Sequence, residues 1–208
     1  MPNLHELENA MPVAPLKLIT LQSAADLGSK VNDYLVEYRS SIHNVYNEDP
    51  AFQGYSEKNY QLDFSAPRFN SGEGKVVLNE TVRGKDLFII VDVCNHSLTY
   101  KMNSYENHMS PDNHYQELKR VIGAAAGKAH RINVIMPFLY ESRQHKRTRR
   151  ESLDCALALE ELDAMGVSNI ITFDAHDPRV QNAIPLKGFE TVPVSYTHLR
   201  AHETSAHL

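Results

Sequence analysis

The stretch Val134–Pro185 constrains the fold most tightly, because it sets one helical period between two short apolar runs. Val134–Met136 is an apolar run halted by Pro137, as a buried strand would be. Leu153, Ala156, Leu157, Leu159, Leu162 and Met165 then follow a helical pattern, and Gly166 closes it as a left-handed C-cap would. Asn169–Phe173 is the second apolar run. Strand, helix, strand predicts a right-handed parallel crossover, and the run Asp86–Val93 ahead of a helical stripe of Tyr115, Leu118, Ile122 and Ala125 predicts another. The expected fold class is α/β, a mostly parallel sheet flanked by helices. Ligands of such sheets bind off the carboxyl ends of the strands. Two polar clusters leave the chain there: Arg143-Gln144-His145-Lys146-Arg147 after the first strand and Asp174-Ala175-His176-Asp177 after the second. A cationic loop beside one able to hold a metal is the geometry of a magnesium-nucleotide site.

The rest of the chain fills in around this unit. Residues 1–14 are polar and proline-containing, a frayed leader, and Leu16–Leu21 reads as the first strand. Ser23 is placed as the cap of a helix with Asp26 in its first turn and Ala24, Leu27, Val31, Leu35 and Tyr38 along one face. Residues 40–58 lack periodicity and read as a loop or insertion; Asn59–Phe64 and Lys75–Leu78 read as strands about a glycine-bearing turn, Phe69–Gly74. Cys94–Met109 is polar and irregular, and its Asn95, His96, Asn107 and His108 are too scattered to argue a metal site. Ser110-Pro111 opens the helix that carries the Tyr115 stripe.

Composition excludes several classes. A formal net charge of -5 lacks the basic footprint of a general nucleic-acid binder. Two cysteines, Cys94 and Cys155, cannot build a disulfide framework, which points to a reducing compartment and a cytoplasmic protein. The N-terminal residues contain acidic groups and no long apolar core, so neither a signal peptide nor a membrane span is expected.

Several motifs in order carry a resemblance. Pro137 is followed by Arg143-Gln144 and Lys146, then by the helix, Asp174-Ala175-His176 and a downstream glutamine. Upstream stand Arg68-Phe69-Asn70-Ser71-Gly72-Glu73 and the run Glu80-Thr81-Val82-Arg83-Gly84-Lys85-Asp86. Over roughly residues 15–190 this resembles the N-terminal half of ribose-phosphate pyrophosphokinase, also called phosphoribosyl pyrophosphate synthetase. The resemblance implies a phosphoribosyltransferase-like domain over residues 15–192 and a magnesium-dependent transferase of nucleotide biosynthesis. That enzyme moves the β,γ-diphosphoryl unit of ATP to the C1 hydroxyl of ribose 5-phosphate, giving phosphoribosyl pyrophosphate and AMP. It also implies a homo-oligomer with adenine sites shared between subunits.

By the same resemblance Phe69 stacks on adenine while Ser71 and Glu73 hydrogen-bond it; Arg143, Gln144 and Lys146 contact ATP; and His176 lies at magnesium-ATP. Ser71 stands where the family usually has Asp or Asn, and His145 where it has Asp. Read without the resemblance, Phe69–Gly74 is a hairpin turn, the basic run a solvated loop, Asp174 or Asp177 a cap, and His176 a donor to a backbone carbonyl. Two other functional readings stand beside the enzyme. Ser71 and His145 favour a non-catalytic regulatory homologue, whereas the Arg-Gln pair, Asp-x-His and the Glu80–Asp86 run weigh against an unrelated phosphoribosyltransferase-fold or flavodoxin-like binding domain.

The C-terminus needs separate treatment. Val194–Thr204 resembles the conceptual translation of a sequencing-library transposase adapter, so residues 193–208 are expected to be an assembly scar and the biological sequence to stop near Val192. In the family the acidic ribose-phosphate loop, a second metal-binding aspartate and the flexible catalytic loop all follow that point. The chain as written is therefore expected not to complete catalysis, and to expose a face that packs against a second half. His202-Glu203 begins like a zinc-protease motif, but His207 comes five positions after His202, where a helical H-E-x-x-H needs four.

Overall fold

The computed structural model describes residues 13–43 and 55–194. Most of the expected leader, much of the 40–58 insertion, and all but the first two residues of the adapter-like stretch lie outside the described residues. In chain order the elements are β1 (Leu16–Thr20), α1 (Ala25–His43), β2 (Phe64–Ser65), β3 (Val77–Leu78), β4 (Asp86–Ile90), β5 (Thr99–Met102), β6 (Tyr105–His108), α2 (Pro111–Ala125), β7 (Arg131–Ile135), α3 (Asp154–Ala164), β8 (Asn169–Phe173) and β9 (Gly188–Val192). Five strands form one parallel sheet in the order β1-β4-β7-β8-β9, the α/β class expected. No helix among the described residues is long and apolar enough to cross a membrane.

Alternation along the strands divides the core. Ile19, Leu87, Ile89, Ile132, Val134 and Ile170 point to one face, where they pack with Leu118, Ile122, Leu159 and Leu162 of α2 and α3. The opposite face carries Leu18, Thr20, Phe88, Ile90, Ile135 and Ile171, and α1 lies over its β1 end. Phe88, Ile135 and Ile171 there are only partly covered among the described residues, and Phe173 is 37% exposed.

The approach of α1 to the sheet depends on Gly28. A Cβ built there would sit 2.2 Å from both Cγ2 and Oγ1 of Thr20. Gly→Ala inside a helix ordinarily gains about 1 kcal/mol. Here the β-branched Thr20 cannot swing aside, so Gly28→Ala is expected to destabilise by roughly 1–3 kcal/mol as overpacking does. Urea denaturation reads the sign directly.

Beyond α1 the chain returns along the outer edge of β1. Leu18 N–H donates to Tyr60 O at 2.8 Å, Leu62 N–H donates to Leu18 O at 2.8 Å, and Leu18 and Gln61 form a parallel bridge. The chain then crosses to β4 on the other side of β1, so the winding reverses between β1 and β4. That reversal is the place where open α/β sheets form a ligand crevice.

Several expectations need correction. Ser23 is not a helix cap: it lies in a 3-10 turn, Gln22–Ala24, and its hydroxyl accepts from the backbone N–H of Asp92 at 3.2 Å. Helix α1 continues to His43, into the expected loop. The strand expected over Asn59–Phe64 reduces to the bridge at Gln61 plus the two residues of β2, which pair antiparallel with β3. Cys94–Met109 is not irregular; β5 and β6 form an antiparallel hairpin closed by Asn103 and Ser104, both with positive φ as a type I′ turn requires. Ser110 does cap α2, its hydroxyl accepting from Asn113 N–H, and Gly166 ends α3 at φ 89.

Candidate nucleotide site

The two polar loops leave the sheet at neighbouring strands. The first follows β7, the second follows β8, and these strands pair directly. Each loop begins near a non-glycine residue in left-handed conformation, Glu141 at φ 56 and Asp174 at φ 41. Backbone of this kind persists where surrounding structure over-determines it, commonly at functional sites. Gln144 N–H donates to Glu141 O at 2.8 Å and Gln144 O accepts from Cys155 N–H at 3.3 Å, which ties the cationic loop to the start of α3.

The loops meet through His145. Its Nδ1 donates to Ser142 O at 3.2 Å, its Nε2 lies 3.5 Å from Asp177 Oδ2, and its ring stands edge-on to His176 with centroids 5.0 Å apart. Asp177 is held by Arg179, whose Nε and Nη2 both donate to it, and it caps the turn Pro178–Ala183 by accepting from Arg179 N–H. Those hydrogen bonds hold the Asp177 carboxyl well below the usual carboxylate range. The capping role expected of Asp177 is thus present, while His176 meets the His145 ring and has no backbone carbonyl partner among the described residues. Arg143, Gln144, Lys146 and His176 are exposed, and the side chains of the first three have no hydrogen-bond or ion-pair partner among the described residues. Nearby Cys155 is buried, and its thiol is pushed up to about 11 by desolvation and then by Glu141, which makes it inert.

The crevice at the winding reversal adjoins this edge. It encloses about 640 Å³ and is lined by Gln22, Ser23, Asp26, Asp92, Asn95 and Phe138, among others. The Cys94 thiol beside it is raised by burial and Asp92, and Arg143 acts on it in the opposite direction. The Arg143 guanidinium is therefore within electrostatic reach of Cys94. Asp26, read from the sequence only as a first-turn helix residue, and Asp92 are not among the expected site residues. The available signal was an acidic residue directly after the apolar run of β4, at its carboxyl end.

Phe69, Ser71 and Glu73 form a separate group on the turn between β2 and β3. Phe69 N–H donates to Glu73 O at 2.8 Å, Gly72 N–H to Phe69 O at 2.9 Å, and Ser71 Oγ to Glu73 Oε2 at 2.8 Å. The hairpin-turn reading of this stretch describes its backbone, and it leaves the Phe69 ring 54% exposed. No hydrogen bond, ion pair or ring contact among the described residues joins this group to Arg143, Gln144, Lys146 or His176.

Residues 16–166 match the family model for the N-terminal domain of ribose phosphate pyrophosphokinase. The chain belongs to the ribose-phosphate pyrophosphokinase family. Among its relatives are ribose-phosphate pyrophosphokinase B of Dictyostelium discoideum, 31% identical over 136 residues, and a ribose-phosphate pyrophosphokinase of Oceanobacillus iheyensis, 30% identical over 132 residues. These alignments cover 64% and 61% of this chain but only 38% and 37% of the relatives, so the chain spans well under half their length. In fold it is similar to the crystal structure of phosphoribosylpyrophosphate synthetase from Mycobacterium smegmatis, with a TM-score of 0.66 at 21% identity, over 92% of this chain and 52% of that one.

Proposed function

We propose that this chain is the ATP-binding part of an ATP:ribose-5-phosphate diphosphotransferase that makes phosphoribosyl pyrophosphate and AMP for nucleotide biosynthesis. One observation carries the reading. A cationic loop with unengaged Arg143, Gln144 and Lys146 side chains is locked through His145 to the His176 loop at the carboxyl edge of a parallel sheet. Arg143 offers a planar fork to phosphate oxygens, Gln144 a neutral donor and Lys146 a point charge. Phosphoryl-transfer chemistry consists largely of such positioning and charge neutralisation. Phe69 would stack on adenine while Ser71 and Glu73 bond its edge.

Magnesium would enter with the nucleotide. Among the described residues no three His, Cys, Asp or Glu come together to hold a metal. Asp177 is engaged by Arg179, which leaves the exposed Asp174 carboxylate and the His176 ring as the protein donors at this edge; the Val194 N–H that meets Asp174 Oδ1 belongs to the stretch expected to be foreign. Magnesium demands oxygen-rich octahedral coordination, retains waters and commonly binds through substrate phosphates. The donor set fits a metal carried on the phosphates and touched by His176, and does not fit a metal bound by protein alone. When bound, the metal would neutralise charge on the phosphate oxygens.

Separation of the Phe69 turn from the Arg143 loop supports an adenine site completed by a second copy of the chain, hence a homo-oligomer. Two free cysteines, Cys94 exposed and Cys155 buried, suit a reducing cytoplasm. Calorimetric titration tests the reading: saturable magnesium-ATP binding below about 1 mM, weakened by chelation of the metal, is expected. Absence of binding in that range would overturn it.

A non-catalytic regulatory homologue is the second reading. It draws on His145, which replaces the family's aspartate and is turned inward onto Ser142 O, and on Ser71, which is tied to Glu73. Formation of AMP from ATP and ribose 5-phosphate by the intact gene product separates the two.

A further inference from the structure

We propose that the β5–β6 hairpin is a brace that presets the turn Phe69–Glu73, with Arg68 and Tyr100 as its positioning residues; the nucleotide consequence rests on the function proposed above. The Phe69 ring is largely solvent-facing, so its direction depends on the backbone beneath it and not on packing around it. That backbone is gripped by the neighbouring hairpin at three places. Asn103 N–H donates to Asn70 O at 3.0 Å. The Arg68 guanidinium lies over the Tyr100 ring, 4.3 Å from its centroid, while its Nη1 donates to Gly72 O and to Asn113 Oδ1, each at 3.1 Å. Gly72, at φ 88, has a Cβ position 2.9 Å from Met102 Sδ, so the turn seats directly against β5.

The contacts of Arg68 specify the arrangement. Its Nη2 has no hydrogen-bond partner among the described residues, so the guanidinium is held by the Tyr100 ring and through Nη1. A planar fork can stack on a ring and bridge a turn carbonyl to the α2 residue Asn113 at once; a lysine cannot. Fixing a ligand-contacting turn before the ligand arrives removes an ordering cost from binding.

The test uses the full chain and a Tyr100→Leu variant, followed by amide hydrogen exchange and by titration with magnesium-ATP and magnesium-tripolyphosphate. The brace predicts exchange at Phe69 and Gly72 faster by roughly tenfold, with α2 and α3 amides unchanged. It predicts magnesium-ATP weakened by a similar factor, magnesium-tripolyphosphate unaffected, and Tyr100→Phe indistinguishable from the parent in both. Arg68→Lys is expected to match Tyr100→Leu and carries the same readouts should the latter fail to fold. Unchanged exchange at the turn in both variants would overturn the brace, as would equal weakening of the two ligands. A parent chain that binds tripolyphosphate as well as ATP would instead count against the adenine role of Phe69, and the exchange result would still decide the brace.

Discussion

Arg143→Ala is expected to weaken magnesium-ATP binding by roughly ten- to a hundredfold while leaving the melting temperature unchanged. The factor corresponds to losing charge-assisted hydrogen bonds to phosphate worth about 1.5–3 kcal/mol. Stability is spared because the Arg143 side chain is exposed and engages no partner among the described residues. Arg143→Lys should recover only part of the affinity, since an ammonium supplies charge without the fork. Calorimetry with the parent and both variants reads all three values. An Arg143→Ala variant that binds like the parent would make the basic run the solvated loop that its composition also allows.

Asp86→Ala is expected to cost about 3 kcal/mol of folding stability, near the lower limit for breaking a buried ion pair. Asp86 stands at the start of β4 with its side chain 8% exposed. It accepts from Arg131 Nε at 2.9 Å, from Arg131 Nη2 and from Asn133 Nδ2 at 2.8 Å, and Asn169 Nδ2 extends the network to Asn133 Oδ1. The network therefore spans β4, β7 and β8 on the face opposite α2 and α3. Its removal strands the Arg131 guanidinium and one Asn133 donor. The loss stays low in the range because Arg131 is 35% exposed and can regain water. Urea denaturation should show the midpoint falling, with melting lowered by about 6–12 °C for a chain of this size. A change below about 1 kcal/mol would class the pair with ordinary surface salt bridges.

Some of this was legible in the sequence for physical reasons, and some could not be. Asn169–Phe173 is legible to the residue because Ile170-Ile171 and Phe173 form a short, mostly apolar, β-compatible run between Gly166 and the polar Asp174–Asp177. Ser110 was recognised as a cap because its partner, the Asn113 N–H, is local. Ser23 has the same local pattern, but a residue 69 positions away in the chain claims its hydroxyl, and no window of sequence contains that competitor. The β5–β6 hairpin is not legible in the sequence because its strands are polar and mostly exposed, so they carry no hydrophobic alternation; only Asn103-Ser104 between two runs of β-compatible residues marks it.

The convergence of the Arg143 and His176 loops was legible because successive crossovers make β7 and β8 neighbours. The contact that joins them runs through His145, one of the two residues that the sequence reading sets apart from the family pattern. The crevice lined by Asp26 and Asp92 was not legible, since it depends on where the winding reverses. That reversal rests on the pairing of Leu18 with Tyr60, Gln61 and Leu62, residues more than forty positions apart in the chain.

The most direct test of the proposed nucleotide site is a residue-resolved exchange or chemical-shift map of the chain titrated with magnesium-ATP. The account predicts perturbations at Arg143–Lys146 and at Asp174–Asp177 together, at one common dissociation constant, with Phe69–Glu73 responding when the chain is assembled. Perturbations at neither loop under saturating ligand, or at one loop without the other, would contradict it.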